Sequence, residues 1–328
     1  MKWVLIGASN IAQQWMVPAI RAVGDDIVGV VSGDATRARA FADQFAIPNS
    51  SDDLAEIQIW GANAAYISST NEKHEAQTLA AAALGLHVLC EKPLATDLAS
   101  ARRMAQACQD AGVTMGTNHH LRHNSAHLKI REAIRAGELG PLVALRLTHS
   151  VYLPKHLQGW RLDNPGAGGG VVLDIAVHNA DSVGFLLDAY PTSVTAMVNN
   201  TGMAKGLEDN AMSVWKMDNG VLVSTHQGFN TPYAGVSLEV HGQHGSFLGR
   251  GVLHQGPDGE LWKVGADGSK LVPLDHHNLY QRCLRHFHLA VQGKPNDLAD
   301  GWAGVKSLAV AQAVLQSAAS GQQVAVEW

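Results

Sequence analysis

The opening dozen residues constrain this chain most. Residues 4–7 form a short apolar strand that ends on Gly7, and residues 11–23 have the spacing of a helix. Only Ala8, Ser9 and Asn10 separate the two. A strand delivered that abruptly into a helix is the start of a βαβ unit, and the chain keeps the alternation. Apolar or β-branched runs at 27–32, 65–68, 87–90 and 113–117 read as strands. Helical spacing fills 35–45, 73–84 and 98–111. Short strands separated by helices predict a parallel sheet covered on both faces.

From about residue 142 the texture changes. Strand-like runs follow at 142–151, 194–199, 211–217, 221–228, 237–241 and 246–248. Turn signals such as Asp218-Asn219-Gly220 and Pro257-Asp258-Gly259 separate several of them. One helix, at 173–187, lies inside this half, and another, at 301–320, closes the chain. The fold class is therefore α/β. A parallel-sheet domain is expected over 1–120, and an α+β domain with a mostly antiparallel open sheet over 121–328. The closing helix is free to pack back on the first domain. A length of 328 residues suits two such domains.

Composition excludes several classes of partner. A formal charge of -5 argues against a nucleic-acid partner, which would need a basic face. No apolar run is read as approaching the ~20 residues that span a bilayer, so no membrane partner is expected. Met1 leads into Lys2-Trp3-Val4-Leu5-Ile6-Gly7, too short for a signal peptide's apolar region. Cys90, Cys108 and Cys283 are odd in number and widely spaced, with no Cys-x-x-Cys pair, which predicts reduced thiols in a cytoplasmic protein. The histidines His119, His120, His149 and His156 gather near the domain boundary. Neither His-Glu-x-x-His nor facial-triad spacing occurs, so no metal is expected.

Gly7-Ala8-Ser9-Asn10-Ile11-Ala12 approximates the dinucleotide fingerprint Gly-x-Gly-x-x-Gly/Ala. Gly7 supplies the tight turn, Ala12 allows close helix–strand packing, and the free N–H groups of the helix start suit a pyrophosphate. Ser9 replaces the second glycine; its side chain is small enough to admit phosphate and offers a hydroxyl. The second strand ends on neutral Ser32 and Gly33, where NAD-binding proteins usually carry an acid for the ribose. Arg37 follows, and a hydroxyl with a guanidinium suits a 2′-phosphate. Asp34 admits two readings: a displaced ribose acid, or the N-cap of the next helix.

Glu91-Lys92-Pro93 stands at the carboxyl end of a strand, where ligands gather in open α/β sheets. Asp174 and His178 are spaced i, i+4 and share one helix face, an arrangement that orients an imidazole and stabilises its charged form for general-acid work. Gly168-Gly169-Gly170 just before them would let backbone approach a ligand closely.

In this order and spacing, the glycine loop, Glu91-Lys92-Pro93 and Asp174 with His178 resemble the Gfo/Idh/MocA oxidoreductases over essentially the whole chain. Three further segments strengthen the likeness: Ser69-Thr70-Asn71-Glu72, Gly116-Thr117-Asn118-His119-His120-Leu121-Arg122, and Val151-Tyr152-Leu153-Pro154 with His156-Leu157-Gln158-Gly159-Trp160-Arg161-Leu162. The resemblance implies a Rossmann domain followed by an α/β domain whose open sheet supports homo-oligomers. It implies NADP bound by Gly7, Ala8, Ser9, Asn10 and Ile11, by Ser32, Gly33 and Arg37, and by Ser69, Thr70, Asn71, Glu72, Lys73 and His74. Glu91, Lys92 and Asn118 would continue that surface, with Trp160 and Arg161 near the nicotinamide and the substrate. The expected reaction is reduction of a sugar-type ketone, 1,5-anhydro-D-fructose to 1,5-anhydro-D-mannitol.

Hydride arriving at a carbonyl carbon leaves negative charge on its oxygen. Lys92 would stabilise that charge, and His178, oriented by Asp174, would supply the proton; the two donors are interchangeable at this stage. The rival readings are an NAD-dependent polyol or inositol dehydrogenase of the same family, and a non-catalytic dinucleotide sensor. A sensor has no use for Lys92 and His178 together.

Overall fold

Short, largely apolar strands alternate with helices to build the first unit's sheet and its cover in the computed structural model, which describes residues 1–328. The chain runs through β1 (Lys2–Ile6), a π-helical turn (Ala12–Met16), α1 (Val17–Ala22), β2 (Asp26–Val31), α2 (Ala35–Phe45) and β3 (Ser50–Ser51). It continues through β4 (Ala64–Ile67), α3 (His74–Ala83), β5 (His87–Cys90), α4 (Leu98–Asp110) and β6 (Met115–Thr117). The strands are parallel and ordered β3-β2-β1-β4-β5-β6. Every residue of β4 is buried, as expected of a strand covered on both faces. The strand order reverses at the β1–β4 neighbours. Their carboxyl ends lead into Gly7 and Ser68, and that switch point is where open α/β sheets take ligands.

The second sheet follows α5 (Ser125–Arg135). Its elements are β7 (Leu142–Ser150), α6 (Trp160–Asp163), a second π-helical turn (Val172–Ala176), α7 (Val177–Leu187), β8 (Pro191–Asn199), β9 (Asn210–Met217), β10 (Leu222–Gly228), β11 (Val236–Gly242), β12 (Ser246–Arg250), β13 (Glu260–Gly265) and β14 (Gly268–Val272). After α8 (Leu279–Val291) and α9 (Gly301–Ser320), β15 (Val324–Ala325) pairs with β8. The nine strands are ordered β14-β13-β12-β11-β7-β10-β9-β8-β15, antiparallel except for the parallel pair β7 and β10. Strand β9 shows why one face is covered and the other open. Ala211, Ser213, Trp215 and Met217 point inward, while Met212, Val214 and Lys216 point out.

Two expectations are corrected. Pro165–Leu187 does reach membrane-spanning length and apolarity, with a mean hydropathy of 1.3; that window is wholly buried, so the segment is a core helix of its unit. The boundary of the second domain also differs. The compact units are Met1–His119 with Tyr280–Val305, and His120–Leu279 with Lys306–Trp328. Residues 280–305, assigned above to the second domain, thus belong to the first unit. Helix α8 supplies the reason: Tyr280, Cys283, Leu284 and Phe287 form one helical stripe, each at most 1 % exposed, in the cluster that holds Trp3, Ile20 and Leu89. Trp15 stacks on Tyr280 at 5.3 Å, and Phe287 packs on Trp3 at 5.2 Å. A buried phenylalanine of this kind contributes roughly 3–5 kcal/mol against truncation to alanine.

Candidate active site

Gly7 adopts φ +117°, and a Cβ there would lie 2.7 Å from Ser69 N and 2.8 Å from the Ser68 carbonyl carbon. Both the conformation and the backbone contact require glycine. Ala8, Ser9 and Ile11 are half-buried and Asn10 is exposed. Ser9 does more than leave room. Its Oγ donates to Ser68 Oγ at 2.8 Å and accepts from Ala12 N at 3.2 Å, so it ties the turn to β4's end and satisfies one orphan N–H of the helix. The helix expected over 11–23 is interrupted near its start by the π-helical turn Ala12–Met16. Such wide turns recur at functional sites.

At the end of β2, the Arg37 Nε donates to Ser32 Oγ at 3.1 Å. The Asp34 Oδ1 accepts from Arg37 N at 2.7 Å, which resolves the two readings of Asp34: its carboxylate caps α2. Gly33 and Arg37 are exposed beside it. A hydroxyl and a guanidinium thus share one corner of the first unit, with a helix N-terminus behind them, a set that fits a phosphate.

The Glu91-Lys92-Pro93 turn is held from behind. The Glu91 Oε1 accepts from Tyr66 Oη at 2.6 Å and from Asn118 Nδ2 at 2.5 Å. Burial raises the Glu91 carboxyl above its ordinary range, an effect that those two bonds and the nearby Lys92 charge oppose. Glu91, Asn118 and His74, all expected on the cofactor surface, are buried. The His74 ring reaches the carbonyl oxygens of Ser69, Pro93 and Leu94 at 3.1–3.3 Å, and burial lowers its pKa. These three side chains fix the loops that follow β4 and β5. Ser69 donates to Gln77 Oε1 at 2.6 Å and Thr70 to Glu72 Oε1 at 2.5 Å. Asn71 is buried, whereas Glu72 and Lys73 are exposed and Lys92 is half-buried.

In the second unit Asp174 lies in the π-helical turn Val172–Ala176, and His178 in the first turn of α7. Asp174 Oδ2 is 3.4 Å from Arg161 Nε, and the Arg161 guanidinium lies over the Trp160 ring at 4.4 Å. This ion pair joins two residues that the sequence reading kept in separate roles. His178 is 6 % exposed, and two imidazoles surround it: His120 edge-on at 5.2 Å and His149 at 6.0 Å. Neither His120 nor His149 was among the expected site residues. Their signal in the sequence was only the crowding of histidines, and no cluster of His, Cys, Asp or Glu has the makings of a metal site. Gly169 and Gly170 serve close packing within the unit. A Cβ on Gly169 would meet Trp160 O at 2.6 Å, and one on Gly170, at φ +102°, would meet Glu208 Oε1 at 2.3 Å. Glu208 Oε1 in turn accepts from Val172 N at 3.1 Å, at the start of the helix that carries Asp174 and His178.

Comparison with known proteins identifies the family. Residues 1–119 match the family described as "Oxidoreductase family, NAD-binding Rossmann fold", and residues 127–248 match the "GFO/IDH/MocA C-terminal domain". The chain is 46% identical to a 1,5-anhydro-D-fructose reductase of Ensifer adhaerens, over 99% of this chain and 98% of that one. It is 26% identical to a D-xylose 1-dehydrogenase (NADP(+)) of Haloferax volcanii over the full length of both. Among solved structures, an aldose-aldose oxidoreductase from Caulobacter crescentus shares the fold with a TM-score of 0.90 at 21% identity, covering 99% of each chain. The chain belongs to the Gfo/Idh/MocA family of oxidoreductases.

Proposed function

We propose that this chain is an NADPH-dependent reductase of sugar-type ketones that converts 1,5-anhydro-D-fructose to 1,5-anhydro-D-mannitol. The observation that carries the reading is the 46% identity, over nearly the whole of both chains, to the Ensifer reductase. The cofactor choice is supported by the Ser32–Arg37 pair and by the use of Asp34 as a helix cap. A carboxylate facing the ribose would repel a 2′-phosphate; a hydroxyl and a guanidinium attract it.

A bound NADPH supplies hydride to the carbonyl carbon. Gly7, Ala8, Ser9, Asn10 and Ile11 would hold its pyrophosphate, and Ser32, Gly33 and Arg37 its 2′-phosphate. Ser69 to Lys73, Lys92, Trp160 and Arg161 would line the rest, while Glu91, Asn118 and His74 fix the loops. Lys92 stabilises the negative charge that develops on the carbonyl oxygen. His178 gives that oxygen its proton, with Asp174 orienting the ring. The three buried cysteines, none of them in a disulfide, support a cytoplasmic setting. The exposed Met197, Met212 and Val214 on the open sheet face support association with a second copy of the chain.

The test is kcat/KM for 1,5-anhydrofructose, other 2-keto sugars, simple diketones and inositols, each with NADPH and NADH. The highest value is expected for 1,5-anhydrofructose with NADPH. A panel led by oxidation of an inositol with NAD would instead support the dehydrogenase reading, which draws on the 29% identity to an inositol 2-dehydrogenase of Saccharopolyspora erythraea.

A further inference from the structure

The interior of the second unit holds more polar groups around α7 than the reaction above uses. His149, on β7, is in register with Gln227 of the parallel strand β10, so the two side chains stand side by side on the helix-covered face. Asn179 and Ser182 follow His178 on α7, one residue and one helical turn on. His127 lies on α5, which packs against α7, and it feels the charges of Asp181 and His149. Both ring nitrogens of His127, both amide atoms of Asn179 and of Gln227, and the Ser182 hydroxyl meet no protein partner. All four residues are 0 % exposed. Protein interiors leave few polar atoms unpartnered, and internal water is what ordinarily serves the remainder.

We propose that His149 returns a proton to His178 after each turnover, through internal water held by His127, Asn179, Ser182 and Gln227. The proposal rests on the reading of His178 as the acid. Delivery breaks an N–H bond of the His178 imidazolium and forms the O–H bond of the product alcohol. In the return step an N–H bond of protonated His149 breaks and one on His178 forms, with each bridging water accepting one proton as it gives up another. His149, 8 % exposed, takes its own replacement from hydronium or a buffer acid in the solvent. No electrons move in this step. The other titratable or charged groups about the cluster include His120 and buried His123 on the turn that packs on α5 and α7, Asp174 with its partner Arg161, and Asp181 with its partner Arg122. Adjacent buried imidazoles resist carrying two charges at once, which favours one proton that moves over two that accumulate. Burial keeps His127 neutral, so it orders water without taking up the charge.

The test is His149→Gln in the full-length enzyme. Single-turnover oxidation of bound NADPH should stay close to that of the parent, because the proposed return step follows the first delivery. Steady-state kcat should fall by about 10²-fold, the lower end of what a positioned proton donor contributes. Rising imidazole buffer should restore it, and the solvent deuterium isotope effect on kcat should grow. Equal loss in both regimes without buffer rescue would make His149 a packing residue, and an unchanged kcat would remove it from the proton path; either overturns the proposal. Gln227→Met, which dries the seam at similar volume, provides a second reading should His149→Gln fail to fold. The same buffer-rescued loss is expected of it, and parent-like kcat overturns the proposal. Parent-like turnover in His178→Ala would overturn the underlying acid assignment, a result separate from the comparison of the two regimes.

Discussion

Two clusters of buried polar groups, one in each unit, are built in opposite ways. In the first, the groups behind the candidate cofactor surface close on protein partners: Glu91 on Tyr66 and Asn118, and His74 on three carbonyls. In the second, His127, Asn179, Ser182 and Gln227 are as deeply buried and meet no protein partner. A closed network fixes loop geometry before a ligand arrives, and such preorganisation is what a binding surface needs. A site that loses and regains a proton each cycle gains instead from groups that can change partners. With the roles proposed above, the first cluster serves rigidity and the second serves proton handling.

The largest test of this division concerns the two proposed donors. His178→Ala should lower kcat by about 10²–10⁴-fold, the usual range for a general acid, with NADPH affinity preserved. Lys92→Ala should lower it by about 10²–10³-fold, the scale of one preorganised donor to an oxyanion. Steady-state kinetics alongside cofactor titration separates the two effects. A His178 variant that binds NADPH poorly yet turns over normally at saturation would break the division.

A smaller effect is expected on stability. Burial lowers the His127 pKa from 6.5 to about 4, so the folded state holds this ring neutral where an unfolded chain would protonate it. Between those two values the unfolded state binds more protons, and stability falls as pH falls. The full loss is about 3 kcal/mol and is complete near pH 4. Urea unfolding at pH 7 and pH 5 should show this slope in the parent and a flatter one in His127→Gln. Parallel slopes would mean that another group governs acid sensitivity.

The smallest effect lies at the ribose corner. A charge-assisted bond contributes roughly 1.5–3 kcal/mol, so Arg37→Ala should weaken NADPH by about tenfold or more and leave NADH nearly unchanged. Ser32→Asp should shift preference in the same direction. The ratio of kcat/KM for the two cofactors measures both. Equal use of NADH by the parent, with no response in either variant, would remove Ser32 and Arg37 from cofactor choice.

What the sequence made legible was local. The strand–Gly7–helix turn is written in adjacent residues, and so was the choice at Asp34, whose cap geometry the structure resolved. The parallel and antiparallel sheets announced themselves by short apolar runs and by alternation. What stayed hidden depends on distance along the chain or on details that periodicity does not encode. The packing of His120 and His149 on His178 joins three separate elements. The bond from Ser9 to Ser68 spans 59 residues. A π-helical turn preserves the apolar pattern of an α-helix, so neither Ala12–Met16 nor Val172–Ala176 could be told apart from one. Strand β14 is mostly exposed and shows no alternation to read. Helix α8 is not picked out in the sequence at all, and its apolar stripe would not by itself say which core it completes.

That last feature bears on how the molecule is made. The first unit's core needs Tyr280, Cys283, Leu284 and Phe287, which leave the ribosome long after His119, the end of the unit's N-terminal segment. At roughly 5–20 residues per second, synthesis of the intervening stretch takes about ten seconds to half a minute. Through that interval the nascent N-terminal segment lacks the side chains that cover Trp3 and Trp15 in the folded unit. A ribosome that stalls before residue 280 releases a chain with neither unit complete.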